Sequence, residues 1–331
     1  MKRTSFDFIV AVATVFLSSL GAQARPSDGI ATEGRNDYKL VWADEFDTDG
    51  APDTARWTFE HGFVRNHELQ WYQADNARCE DGVLKITGRR EQVGNPNFEA
   101  GSTDWRRNRE RAEYTSSCIE SRSSFCFRYG RLEVRARIPV ASGSWPAIWT
   151  LGNQGGWPAC GEIDVMEFYR VPPQTMGIHH DQDSRERTLP IILANACWQG
   201  PDGRDAWNTG RIAFSHFTER DPDWALKFHI WRMDWTPETI RIYLDDELLN
   251  EIQTTEAEPT AMSDSDAGSF RGRRRFSPFN PFRNDREGFG HYILLNLAIG
   301  SSGGTPDDAS FPLVYEVDYI RVYQKHLTNK K

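Results

Sequence analysis

The chain returns repeatedly to a period of two. Residues 38–42, 82–87, 130–138 and 239–244 each alternate apolar and polar side chains, which places the apolar set on one face of an extended strand. No stretch of comparable length carries the 3.6-residue stripe of an amphipathic helix. Asp245-Asp246, between 239–244 and the following Glu247-Leu248-Leu249, reads as a hairpin turn. Many short antiparallel strands imply a sandwich or a barrel. Residues 91–111, 172–187 and 254–288 read as long loops, and on a β-sandwich they would rim whatever groove the sheet provides.

One strand breaks the pattern. Glu162-Ile-Asp164-Val-Met-Glu167-Phe-Tyr169 places three carboxylates on what otherwise reads as a central apolar strand, and a carboxylate buried without a partner costs several kcal/mol. In strict alternation Glu162 and Asp164 share a face and Glu167 points away. A β-bulge at Val165-Met166 would return Glu167 to that face. Two carboxyl groups converging over one groove suit glycoside hydrolysis with retention, one ionised to attack the anomeric carbon and one protonated to assist the leaving oxygen. Asp164 between them would hydrogen-bond the nucleophile and help to separate the two pKa values. The competing readings are an acidic strand facing solvent and a calcium site. Trp149, Ile163, Val165, Phe168 and Tyr169 around the acids speak against the first, and the spacing is not that of an EF-hand loop.

These residues resemble glycoside hydrolase family 16, whose Glu-X-Asp-X-X-Glu signature, in its bulged form, is matched by Glu162, Asp164 and Glu167. Residues 144–149, 66–72 and 317–324 resemble further family segments in the family's order, so the likeness runs from about Tyr38 to Gln324. The resemblance implies an all-β, concanavalin-like jelly-roll sandwich whose curved sheet forms the substrate cleft. It implies Glu162 as nucleophile, Asp164 as assisting residue and Glu167 as general acid/base, with no cofactor for catalysis. Asn66 and Glu68 resemble residues bordering the glycone subsites, and Trp145 and Trp149 an aromatic platform. His180 resembles a histidine near the acid/base, with His179 as the alternative. Trp157 and Trp198 complete the substrate-binding candidates. Glu45 and Asp318 resemble ligands of a structural calcium ion remote from the chemistry. One departure is visible: the family often carries an arginine after Tyr-Thr-Ser, where this chain has Ser117-Cys118. Residues 192–198 also depart from the usual glucanase continuation.

Lys2 and Arg3, an apolar run over 8–20 and Ala22-Gln23-Ala24 together read as a secretory signal peptide. The run falls short of the roughly 20 residues that span a bilayer. The expected organisation is therefore a signal peptide over 1–24, an extension over 25–37, one catalytic domain over 38–325 and a tail over 326–331. The protein would be secreted or periplasmic, monomeric and without a membrane span. The formal charge of −9 excludes nucleic acid as a natural partner. Lys2, Arg3 and Asp7 sum to +1, so cleavage would leave −10. Five cysteines are too few to staple the fold, although a bridge between Cys118 and Cys126 is open to it.

The expected substrate is a β-1,3 or mixed β-1,3/1,4 glucan. An endo-β-galactanase acting on agar, porphyran, carrageenan or mucin-type glycans is the alternative, and a non-catalytic sugar-binding protein is the reading from another class. Two arginine-rich stretches, 106–111 and 271–275, could grip sulfate groups. Neighbouring Asp104, Glu110 and Glu113 favour solvated loops instead.

Overall fold

A computed structural model describes residues 37–177, 188–258 and 279–325. The expected signal peptide, His179, His180, the 271–275 arginines and the C-terminal tail lie outside the described residues. No described helix is long and apolar enough to cross a membrane.

Two antiparallel sheets hold the fold. One runs Glu247–Gln253, Thr239–Leu244, His229–Trp235, Gly130–Arg137, Leu313–Lys325, Val83–Gly88 and Ala77–Glu80, with Tyr38–Asp44 also paired to Leu313–Lys325. The other runs Asp205–Ala213, Leu189–Gln199, Glu162–Val171, Ser144–Gly152, His291–Ile299, Cys118–Glu120 and Thr58–Phe59. Non-consecutive strands neighbour one another in both, as in a jelly roll. The hairpin turn falls at Asp245-Asp246, with Asp245 in the left-handed region at φ 52°, which a two-residue hairpin requires.

Alternation accounts for the core. Leu132, Val134 and Ala136 from the first sheet meet Ile148, Ile163, Ile192 and Leu295 from the second in one apolar cluster. The opposite face of the first sheet is laced by ion pairs. Arg131 holds Asp234 through two bonds, Arg321 holds Glu45 through two of 2.8 Å, Arg135 holds Asp318 at 2.7 Å, and Arg137 pairs with Glu316. The opposite face of the second sheet is the site.

Candidate active site

The bulge lies where the acids require it. Glu162 pairs with Cys197 and Asp164 with Asn195, but the next partners are Glu167 and Leu193, so Val165 and Met166 together oppose one residue. Both of those side chains enter the core with Ile163 and Phe168. Glu162, Asp164 and Glu167 are thereby left on the other face. Glu162, Glu167 and Tyr169 line an open cleft of about 610 Å³, with Arg65, Asn66, Trp145, Trp149, Trp157 and Trp207 around them.

None of the three carboxylates has a direct cationic partner among the described residues. Glu167 instead accepts from the Trp145 indole at 3.0 Å on one oxygen and from Asn195 Nδ2 at 3.0 Å on the other. Burial and the charge of Glu162 push its pKa up to about 7, against those two bonds and one from Tyr169. Asp164 is 1% exposed and bordered by both glutamates; burial and then their charges raise its pKa well above the carboxylate range. Its Oδ2 has no hydrogen-bond partner among the described residues, while the bond between the two carboxyl groups raises Asp164 and lowers Glu162, the signs expected when the proton sits on Asp164. Glu162 is raised by burial and drawn back by the Trp157 indole, by the Asp164 bond and by the charge of Arg65. Neighbouring environments thus separate an acid that keeps its proton near neutrality from one supplied with donors and a nearby positive charge.

The wall above the acids is a hydrogen-bonded scaffold. Asn66 and His67 both adopt left-handed backbone, at φ 56° and 54°, and turn the chain so that Asn66 lines the cleft. Glu68 is buried, accepts from Gln70 at 2.7 Å, and is raised by burial against the opposing pull of Arg65, Gln70 and Tyr72. Trp149 donates to Asn296 at 2.7 Å, and Asn296 donates to the Tyr72 hydroxyl at 3.1 Å. Arg65 pairs with Glu60 and lies 5.0 Å from the Trp149 ring centroid. It also sits close enough to Cys118 for guanidinium and thiol to shift one another's titration. A positive charge therefore reaches the neighbourhood of Ser117-Cys118 from the turn segment before Gln70–Tyr72.

Three sequence expectations change. Trp198 packs in the core against Phe282, with ring centroids 6.1 Å apart; Asn195 and Cys197 pair with acids of the cleft face, so alternation turns Trp198 inward. All five cysteines are free thiols, and Cys118 instead packs beside Tyr72 and Trp149. The arginines of 106–111, read as solvated loop charges, are exposed at Arg106, Arg107 and Arg111 but are also engaged by the chain itself. Arg106 donates twice to the Val64 carbonyl, Arg109 donates to the Glu68 carbonyl and lies 3.6 Å over Phe63, and Arg107 pairs with Glu99. Arg106 and Arg109 thus clamp the segment that carries Asn66 and Glu68.

Trp145 and Trp149 do reach the cleft, but both are buried and their indole nitrogens are committed to Glu167 and Asn296. Glu45 and Asp318 are engaged by Arg321 and Arg135, and among the described residues no three His, Cys, Asp or Glu side chains converge as metal ligands. Sequence reasoning missed Asn195, Tyr169, Arg65 and Trp207. Asn195 carried a signal, being a lone polar residue in the apolar run 191–197.

The family model for Glycosyl hydrolases family 16 matches residues 65–272. The chain belongs to that family. It is accordingly an O-glycoside hydrolase of a retaining family. A beta-glucanase of Rhodothermus marinus is 30% identical over 98% of this chain and 95% of its own length. A solved structure from work on endo-acting O-glycanases, expressed by human gut microbes to initiate mucin breakdown, superposes with a TM-score of 0.69 at 30% identity, covering 88% of this chain and 92% of that one. The catalytic domain of LamA from Zobellia galactanivorans gives 0.60 at 27% identity, covering 88% and 100%.

Proposed function

We propose that this family 16 enzyme is a secreted, endo-acting hydrolase of β-1,3 or mixed β-1,3/1,4 glucan, working through Glu162, Asp164 and Glu167. The carrying observation is the contrast between two glutamates on one cleft face, Glu167 raised to about 7 by burial and Glu162 supplied with donors by Trp157 and Asp164. Glu162 attacks the anomeric carbon while the glycosidic C–O bond breaks and Glu167 passes its proton to the departing oxygen. Glu167, now ionised, then takes a proton from water as that water attacks the same carbon and frees the Glu162 carboxylate. Two inversions give net retention. Asp164 shares its proton with Glu162, so the nucleophile's charge is steadied without a cation in direct contact with it. The Rhodothermus beta-glucanase supports a glucan substrate.

A second reading has its own support. The superposition on the O-glycanase structure is higher than that on LamA, 0.69 against 0.60, which favours a galactose-containing or mucin-type glycan. The 106–111 stretch lends sulfate little support, because Arg106 and Arg109 are engaged by the chain's own carbonyls and Arg107 by Glu99. Residues 1–24 are proposed as the signal peptide and 38–325 as a single catalytic domain, acting as a monomer.

Wild type and Glu162→Gln, incubated with laminarin, mixed-linkage glucan, agarose, porphyran, carrageenan and mucin O-glycans, decide the matter by mass spectrometry of products. Glucan oligomers from wild type alone uphold the first reading. Galactose-containing oligomers replace it with the second, and equal products from both proteins sink Glu162 as nucleophile.

A further inference from the structure

Of the twelve tryptophans, only Trp157 and Trp207 are exposed, at 51% and 44%, and both line the cleft. The bond from Trp157 to Glu162 accounts for the first. Trp207 belongs to none of the apolar clusters. Its indole N–H donates to Asp205 Oδ2 at 2.8 Å, a tether at the ring's edge, while nearly half of the residue stays open to the cleft side. Such a ring, held at one edge and partly open, suits the CH face of a sugar.

Register gives its place. Glu162 pairs with Cys197, and Cys197 pairs with Trp207, so Trp207 stands on Glu162's rung two strands away. At a strand spacing of 4.7–4.9 Å that separation is about 10 Å. On the other flank of the motif strand stand Arg65, Asn66, Glu68 and Asn296, around a small polar pocket that also touches Glu162 and Glu167. A sugar held for reaction needs its hydroxyls matched by fixed polar groups, which that flank supplies. The sugar on the opposite side must leave, and stacking on an exposed indole binds it without matching every hydroxyl.

We infer that Trp207 is a platform for the leaving-group side of the polysaccharide, stacking a pyranose beyond the scissile bond and favouring polymer over short substrates. The inference rests on the hydrolase reading above and adds to it the direction in which the chain lies. Trp207 would be a specificity-determining residue, with no part in the bond-breaking itself.

The test compares wild type, Trp207→Ala and Trp207→Phe on the polysaccharide that wild type cleaves and on a nitrophenyl oligoglycoside with the same glycone. The nitrophenyl group replaces the sugars beyond the scissile bond, so this substrate carries no pyranose there for Trp207 to stack. Trp207→Ala should lower kcat/KM on polymer by roughly tenfold, mostly through KM, and Trp207→Phe by about twofold, with both within about twofold of wild type on the nitrophenyl substrate. Transfer of the glycosyl group to an added oligosaccharide acceptor should fall in parallel for the alanine variant. Equal losses on both substrates, or no loss on polymer, would overturn the platform while leaving the hydrolase reading intact. A wild type inert on every polysaccharide and on the nitrophenyl substrate would overturn both.

Discussion

The two sheets treat carboxylates in opposite ways. On the outer face of the first sheet, Asp234, Glu45, Asp318 and Glu316 each meet an arginine from a neighbouring strand or from the same one. In the cleft of the second, Glu162, Asp164 and Glu167 meet indoles, an amide and one another. A guanidinium partner would satisfy a carboxylate and hold it ionised across the working range. Neutral donors leave protons in play, and the shared protons of the cleft are what a displacement in two steps consumes. The difference between structural and chemical acids here lies in what faces them.

The comparison breaks most directly at Glu162. Glu162→Gln should fold normally and lose turnover by roughly 10⁴-fold or more, because an amide cannot form the glycosyl ester. Retained turnover in a single-turnover assay would mean that another group attacks. Glu167→Gln should cost about 10²–10⁴-fold on polysaccharide and much less on a nitrophenyl glycoside, whose leaving group needs little protonation; equal losses on the two would remove its role as acid.

The same variant sharpens the contrast through stability. The folded-state pKa of Glu167 is raised from 4.5 to about 7. Its stabilising contribution is therefore complete below the unfolded value and is lost as pH rises through about 7. Thermal midpoints of wild type should fall more between pH 5 and 8 than those of Glu167→Gln, and parallel curves would show that the buried proton is not there.

A smaller effect is expected at Asn195. Its bond lowers the pKa of Glu167, so Asn195→Ala should move the alkaline limb of the kcat/KM profile from near 7 upward by about one pH unit. A limb that stays or moves down would dismiss Asn195 as a tuning group. Smallest of all, Arg321→Met removes the bidentate partner of a partly exposed Glu45 and should cost within about 1 kcal/mol by denaturant unfolding, leaving kcat unchanged. A change in kcat would mean that the two sheets are coupled.

How much of this was readable from the sequence follows from what each feature depends on. The motif strand declared itself because acids interrupt an apolar run, and the bulge followed from requiring them to share a face; both depend on one segment alone. Trp198 was assigned to the cleft and faces the core, because its direction is set by the pairing of Asp164 with Asn195, which spacing within 189–199 does not reveal. Asn195, Arg65 and Trp207 went unassigned for the same reason. The arginine partners of Glu45 and Asp318 were equally hidden, because they lie on other strands, in one case 276 residues away.

The surplus residue between Asp164 and Glu167 has a consequence for how the chain tolerates insertions and deletions. The sheet counts parity. A chain one residue shorter at Val165-Met166 would still present three acids at alternating positions on the cleft face. A single-residue deletion between Glu162 and Asp164 would send one of those two toward the core. Length variation at this one point is silent to the face, and a frame error beside it is not.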